Sequence, residues 1–294
     1  MAKYGIPYQG SKSGIADSLI TFLPRGKRFV DLFGGGAAMS ECAVKSGKYD
    51  SVYYNELNSL LCNLIKKAIS GEFNYDRFKP EFISREEFGQ RKDQDGYVKW
   101  IWSFGNNGNS YLFSKEIEPQ KRSLHNYVVF GIKDEFIKAH FDDIDKYVIG
   151  DDIRKRRFLL RRYMQMKKAR RPHMELERLQ RLQQLEQLER LEQLEQLERL
   201  EINCGSYLDY EYQKGDVVYC DPPYEGTEGY NKTKFNYKEF YDWVASRPYQ
   251  VFFSSYKISD KRFKMIWAKS KQNLMGGAKG QFKNYECLYT NKES

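Results

Sequence analysis

The apolar positions of this chain fall into short runs cut by turn-forming residues, the pattern of buried strands alternating with helices. Phe29-Val30-Asp31-Leu32-Phe33 predicts a strand that breaks into Gly34-Gly35-Gly36 and then enters a helix running to about Ser46. Ser51-Val52-Tyr53-Tyr54 predicts a second strand ending at Asn55-Glu56, with a helix over Leu57–Ser70 behind it. Val217-Val218-Tyr219-Cys220 reads as a fully buried strand, entered through the turn pair Gly215-Asp216 and stopped by Pro222-Pro223. Gln250-Val251-Phe252-Phe253-Ser254-Ser255-Tyr256 reads as another, and helices are expected over Ser13–Phe22 and Tyr237–Ala245. Alternation of this kind at both chain ends predicts an α/β fold with a mainly parallel sheet. The expected division is one domain from residues 1–71 and 204–294, with 72–203 inserted as a mainly helical region.

The inserted region carries three patterns. Gly105-Asn106-Asn107-Gly108-Asn109-Ser110-Tyr111 concentrates turn-formers and must be a loop. Residues 154–171 hold ten Lys and Arg and no acid, interleaved with Phe158, Leu159, Leu160, Tyr163, Met164 and Met166. As a helix they offer one packing face and a broad cationic face suited to phosphates. The third pattern, over 174–201, is a leucine repeat: 184–192 read QLEQLERLE, 193–201 repeat them letter for letter, and leucine recurs at every third position from Leu176 to Leu200. A step of three advances 300° on an α-helix, so the row drifts by about 60° per step and fits no single packing surface. The expectation is a repeat-expanded helical spacer, a protruding arm that the core does not need, with a dimerisation helix as the alternative.

Composition narrows the class. A chain of 294 residues can bury a sizeable core, and a net charge of +9 favours a polyanionic partner. Cysteines at 42, 62, 204, 220 and 287 form no Cys-x-x-Cys pair, so reduced intracellular thiols are expected. Histidines occur only at 125, 140 and 173, which argues against a zinc site or a histidine-based triad. With no signal peptide and no long apolar span, a soluble cytoplasmic protein is expected.

Two constellations carry chemistry. The three glycines permit a tight turn and close backbone approach to a ligand, and Glu56, twenty positions beyond Gly36, stands where an acid can accept hydrogen bonds from two ribose hydroxyls. Together they read as an adenosine pocket, against the plainer reading of a Glu that caps the next helix. Asp221-Pro222-Pro223-Tyr224 presents a carboxylate, a backbone carbonyl and an aromatic ring at a strand's C-terminal edge, where ligands sit in open α/β sheets. The tetrapeptide is similar to one found in enzymes that methylate exocyclic amino groups. That resemblance implies as acceptor an amino group that is a poor nucleophile, because its lone pair is delocalised into the ring. By the same resemblance, the Asp221 carboxylate and Pro222 carbonyl can each accept one of its N–H bonds and draw the nitrogen toward an attacking geometry, while Tyr224 stacks on a flipped base.

Asp-Pro-Pro-Tyr at 221–224 resembles the catalytic motif of amino-group methyltransferases. With the glycine turn first, the long middle region next and this motif last, the chain resembles the Dam-like DNA adenine-N6 methyltransferases over nearly all of its length apart from 140–201. That resemblance implies a Rossmann-like fold with S-adenosylmethionine as cofactor and adenine N6 in double-stranded DNA as acceptor. Tyr8-Gln9-Gly10-Ser11-Lys12 is similar to the family's N-terminal stretch and implies Tyr8 and Lys12 against the cofactor. Asp31, Phe33, Gly34 and Gly35 match its methionine-side loop, Glu56 its ribose-binding position, and Asp209 the segment bordering the cofactor adenine; Asp221 is shared between cofactor and catalysis. The loop at 105–111 resembles a stretch that contacts DNA, implying Asn106, Asn107, Tyr111, Lys115 and Arg122, with Lys121 and Phe113 near them. Arg156, Arg157, Arg161 and Arg162 would track phosphates, as would Lys279 and Lys283 in a final Gly-Gly-x-x-Lys loop. Residues 225–233 read as a flap over substrate. No metal or covalent intermediate is required, and water can take the proton released on transfer. A cognate restriction endonuclease is a partner this family admits, and a monomer or weak dimer is expected. The alternatives are cytosine N4 or RNA adenine as acceptor, or a catalytically silent DNA-binding protein of the same fold.

Overall fold

A computed structural model of the protein describes residues 3–170, 179, 181–197, 199–224, 235–271 and 284–292. Strands β1 (Arg28–Asp31), β2 (Ser51–Glu56), β3 (Leu200–Cys204), β4 (Asp216–Cys220), β5 (Val251–Ser255), β6 (Lys264–Lys271) and β7 (Asn284–Thr290) form one sheet in the order β3-β2-β1-β4-β5-β7-β6. The first five pair in parallel, and β7 runs antiparallel between β5 and β6. Successive residues of a strand point to opposite faces. Phe29, Val217, Tyr219 and Phe252 therefore pack on one side with Leu19 of α1 (Ala16–Phe22) and Met39 and Ala43 of α2 (Ala38–Ser46). Val30, Val218, Cys220, Val251 and Phe253 pack on the other with Phe240 and Val244 of the helix Tyr237–Ser246. Burial on both faces is why these strands read as continuous apolar runs.

The chain divides into two compact units, Met1–Lys66 with Gln196–Ser294, and Lys67–Glu195. The first holds the sheet. In it, Cys62 of α3 (Ser59–Ile69) and Cys204 at the end of β3 form a disulfide with Cα atoms 6.0 Å apart, so the expectation of reduced thiols throughout fails at this pair. The two residues are 142 positions apart, and only the pairing of β3 with β2 brings them together. Cys42, Cys220 and Cys287 are free and buried.

The second unit is helical among its described residues: α4 (Arg85–Arg91), α5 (Gly96–Ile101), α6 (Glu118–Phe130), α7 (Glu135–His140), α8 (Ile153–Arg170) and α9 (Gln183–Gln193). Ser84, Asp95 and Asp134 cap three of these by accepting hydrogen bonds from first-turn N–H groups. Trp100, Trp102, Leu124, Val128, Leu160 and Tyr163 are buried in its core. His125 is buried too, between the Pro80 carbonyl (2.9 Å) and Gln184 (3.2 Å), and burial pulls its pKa down to about 4. Among the described residues no helix is long and apolar enough to cross a membrane.

The leucine repeat corrects the expectation of an arm or a dimerisation helix. Leu185, Leu188, Leu191, Leu194 and Leu197 are all buried, and so are Gln184, Glu186 and Arg190. A row that drifts around the axis suits a helix enclosed on several sides, which is what α9 is. Its acids are engaged as well: Glu192 pairs with Arg154, Glu189 with Arg157, and Glu195 with Arg77 at 2.9 Å. The two identical nonapeptides fold differently. Residues 184–192 are α-helical, whereas 193–201 leave α9 through a 3₁₀ turn at Leu194–Gln196 and enter β3 at Leu200. In the 3₁₀ turn, three residues per turn keep every third position on one line.

Deleting 193–201 leaves the same polypeptide as deleting 184–192, and the remaining copy cannot serve as both helix and strand entry. Truncating one buried leucine costs about 2–5 kcal/mol against a total stability of about 5–15 kcal/mol. The deletion variant should therefore lose its cooperative thermal transition. A melting temperature within a few degrees of the parent would restore the protruding arm.

Candidate active site

β1 and β4 lie side by side, Arg28–Asp31 in register with Asp216–Tyr219, and the Leu32 N–H donates to the Tyr219 carbonyl at 3.0 Å. From this pair the sheet runs outward to β2 and β3 on one side and to β5 on the other, so the connections diverge here. Such a switch point opens a crevice at the strands' C-terminal edges. The chain leaving β1 supplies Asp31 and the glycine turn; the chain leaving β4 supplies Asp221.

The glycine turn is held tightly. The Gly34 N–H donates to the Asn55 carbonyl and the Ile6 N–H to the Gly36 carbonyl, both at 2.8 Å. A methyl group on Gly34 would stand 2.2 Å from the Tyr54 ring, and one on Gly36 2.8 Å from the Ile6 carbonyl oxygen. Gly35 has φ +49°, and Ala37 enters α2 at φ +62°, where an L-residue costs about 1–2 kcal/mol. Tyr8 lies beside Gly35, 3.4 Å from where a Cβ would be. Both oxygens of Glu56 accept backbone N–H groups, from Gly35 at 2.9 Å and Asn58 at 2.8 Å. Burial raises the Glu56 pKa against the pull of those donors. Asp31 accepts from the Ser40 hydroxyl at 2.7 Å through Oδ2, while its buried Oδ1 has no hydrogen-bond partner. Burial pushes its pKa up to about 7. Phe33 stacks on Tyr207 with ring centroids 5.1 Å apart.

Along the β2–β3 edge, the Asn55 side-chain amide donates to the carbonyls of Leu32 (3.1 Å) and Gly205 (3.0 Å), and Asn203 donates to Asn55 at 2.7 Å. Asp209 is exposed in the 3₁₀ turn Tyr207–Asp209 that follows.

At the end of β4, the Lys12 ammonium lies 2.7 Å from Asp221 Oδ2, 3.4 Å from Glu286 Oε1 and 3.2 Å from the Gly10 carbonyl. The resemblance implied Lys12 against the cofactor; in the structure its ammonium is engaged by the Asp221 carboxylate. Burial pulls the Lys12 pKa down, but Asp221 and Glu286 outweigh it and leave the pKa raised. For Asp221, burial raises the pKa, Lys12 lowers it, Glu286 raises it and Tyr224 lowers it, for a result of about 6. Asp221 Oδ1 is buried with no hydrogen-bond partner. The Tyr224 hydroxyl donates to Glu286, its backbone carbonyl accepts from the Tyr237 hydroxyl at 2.9 Å, and Lys12 sits 4.8 Å over its ring. Pro222 is buried beside it. Sequence reasoning met Glu286 only as part of a stretch resembling the family's final Glu-Leu strand and gave it no role in the site. The available signal was an acid within the otherwise apolar run Tyr285-Glu286-Cys287-Leu288-Tyr289.

The second unit revises several expected DNA contacts. The Asn106 side chain is buried and donates to the Trp100 carbonyl at 2.9 Å, and Asn107 Oδ1 accepts from the N–H groups of Asn109 (2.8 Å) and Ser110 (3.0 Å). These asparagines build the loop rather than reach outward. Tyr111 and Phe113 are buried, with the Tyr111 hydroxyl on the Ile83 carbonyl at 2.7 Å, so neither is a free wedge. The ring that the loop puts forward is Phe104, 63% exposed. Lys121 is buried and donates to the carbonyls of Leu179 and Arg181, whereas Lys115 and Arg122 are exposed. On α8, Arg157 is engaged by Glu189 and Glu186 and Arg154 by Glu192, which removes both from the cationic face. The acids that neutralise them come from α9, outside the acid-free run. Arg161 and Arg162 are exposed, and Arg156 is half-buried with its guanidinium 6.0 Å from the Tyr127 ring centre. Lys279, Lys283 and the whole of the expected flap, 225–233, lie outside the described residues.

Among curated proteins none matches the chain. A family model does, over residues 8–275, a span that takes in the Tyr8–Lys12 stretch, the glycine turn, the whole second unit and Asp221–Tyr224. The chain belongs to the D12 class N6 adenine-specific DNA methyltransferase family.

Proposed function

We propose that Asp221 and Pro222 polarise the adenine amino group by accepting its two N–H bonds, while Tyr224 stacks on the flipped base. The enzyme transfers a methyl group from S-adenosylmethionine to adenine N6 in DNA. The observation that carries the residue roles is the asymmetry of Asp221: Lys12 holds Oδ2, and Oδ1 is buried without a partner. A buried acceptor left open costs free energy unless a donor arrives, and an amino N–H is such a donor.

S-Adenosylmethionine brings the electrophilic methyl when bound. The residues at the switch point fit it. Asp31 Oδ1 is a second orphaned acceptor, suited to an ammonium group, and the turn at Gly34 and Gly35 lets a ligand approach the backbone. Tyr8 and Phe33 border that turn, Glu56 retains lone pairs for ribose hydroxyls, and exposed Asp209 stands at the adenine end. On the second unit, exposed Lys115, Arg122, Arg161 and Arg162, with Arg156, support contact with phosphates, and Phe104 supports contact with a base. Burial of Leu185, Leu188, Leu191 and Leu194 in the second unit favours a monomer over a coiled-coil dimer. The family's restriction–modification setting supports a cognate endonuclease as partner.

Three measurements test this reading. Asp221→Ala removes one acceptor and should slow single-turnover transfer by about two to three decades with DNA affinity unchanged; near-normal transfer would sink the assignment. Asp221 must be ionised to accept, and its pKa is held at about 6, so the single-turnover rate should fall as pH drops through that value. A rate flat from about pH 5 to 8 contradicts that role. Arg161→Gln and Arg162→Gln should each flatten the logarithmic salt dependence of DNA binding by about one unit. Arg157→Gln should leave that slope alone and lower the melting temperature, because it strands the buried part of Glu189. Equal effects of all three on the slope would return Arg157 to the phosphate-binding face.

A further inference from the structure

We propose that Glu286 is a positioning residue for methyl transfer: it holds Lys12 and Tyr224 so that Lys12 engages one oxygen of Asp221 and leaves Oδ1 open to the adenine amino group. The inference rests on the assignment of Asp221 as acceptor.

The geometry carries it. One oxygen of Glu286, Oε1, takes the Tyr224 hydroxyl and lies 3.4 Å from the Lys12 ammonium. Glu286 is 4% exposed and sits on β7, which is pinned on both sides: Cys287 pairs with Ser255 of β5 and with Ala268 of β6. Lys12 lies on the loop ahead of α1, at the end of a long side chain with many rotamers. A rigid carboxylate at a strand centre fixes that ammonium, and the same oxygen fixes the tilt of the Tyr224 ring beneath it.

Charge supports the same role. Lys12 is shared between two carboxylates, so it does not neutralise Asp221 alone. A carboxylate partly relieved of its counter-ion is more basic and accepts a hydrogen bond more strongly. The groups that face Asp221 among the described residues are Lys12, Glu286, Tyr224, Asp31, Tyr219 and Cys220. Of these, Glu286 is the anion that also touches Lys12.

The test uses the full-length enzyme, labelled S-adenosylmethionine and unmethylated DNA. Glu286→Gln keeps an acceptor for the Tyr224 hydroxyl and removes the charge. It should slow single-turnover transfer by about tenfold or more. It should also move the acidic limb of the pH–rate profile to lower pH, because a like charge beside Asp221 is gone, and leave cofactor affinity unchanged. Glu286→Asp keeps the charge but withdraws it by one methylene, so the rate should fall with the limb in place. Tyr224→Phe combined with Glu286→Gln should cost less than the sum of the two. A purely structural Glu286 would lower the melting temperature and leave the acidic limb unmoved, and that result overturns the proposal. If Glu286→Gln does not bind cofactor, Tyr224→Phe decides: a slowed rate upholds the role and a parental rate overturns it. Asp221→Ala that retains transfer overturns the underlying assignment; Asp221→Ala that is inactive beside a parental Glu286→Gln overturns the positioning role alone.

Discussion

The parallel pairing of β1 with β4 is the constraint on which the site depends. It sets Asp31 beside Tyr219 in register, so the two chains that leave these strands must diverge over the same edge. Asp31 and Asp221 are consequently buried near each other; burial raises the pKa of both, and the charge of Asp221 raises that of Asp31 further. Glu56 and Glu286 add two more carboxylates at that edge, and Lys12 is the cation the described residues place among them. A surplus of negative charge in a crevice suits a donor that carries both a sulfonium and an ammonium. The Asp221 carboxylate, in turn, is buried with a cation in contact: Lys12 lowers its pKa, and Asp221 and Glu286 together offset the burial that lowers that of Lys12.

What was legible in the sequence was what short-range pattern encodes. β1, β4 and β5 were readable because strands buried on both faces read as apolar runs, β2 because Val52-Tyr53-Tyr54 stands ahead of the polar pair Asn55-Glu56, and the glycine turn because only glycine tolerates the approach of Tyr54 and Ile6. Asp221 was readable because Pro222 and Pro223 mark where its strand stops. The features that escaped depend on residues far apart in the chain. Lys12 and Glu286 are separated by nearly the whole sequence and meet only through the sheet. Cys62 and Cys204 meet only because β3 pairs with β2. β6, with Lys264, Lys269 and Lys271 in it, is an edge strand, and its polar residues hide it from an apolar-run criterion.

The same limit accounts for the asparagines. Asn106 and Asn107 were assigned to DNA because asparagine can read adenine, yet asparagine is equally a loop-builder, and composition cannot separate the two uses. Burial does. Asn106 spends its amide on the Trp100 carbonyl, and its own backbone sits at φ +54°, a conformation that asparagine tolerates better than most residues. The loop's rigidity then gives Phe104 a fixed presentation, a role that no residue-by-residue reading of the motif would assign.

The duplicated nonapeptide makes the point quantitatively. Glu, Gln, Leu and Arg all favour helix, but their propensities differ from those of other ordinary residues by only a few tenths of a kcal/mol each. Burying one leucine side chain is worth about 1.5–3 kcal/mol. The first copy is helical because α9 is enclosed and its Glu189 and Glu192 meet Arg157 and Arg154. The second is drawn out of the helix because Leu200 and Glu201 pair with Val52 and Tyr53, with the Val52 N–H on the Arg199 carbonyl at 3.1 Å. A leucine at every third position is wrong for one long helix with one face. It is right for an enclosed helix, a 3₁₀ turn and a strand in succession: α9 buries its leucines in the second unit, and Leu200 packs against the core of the sheet.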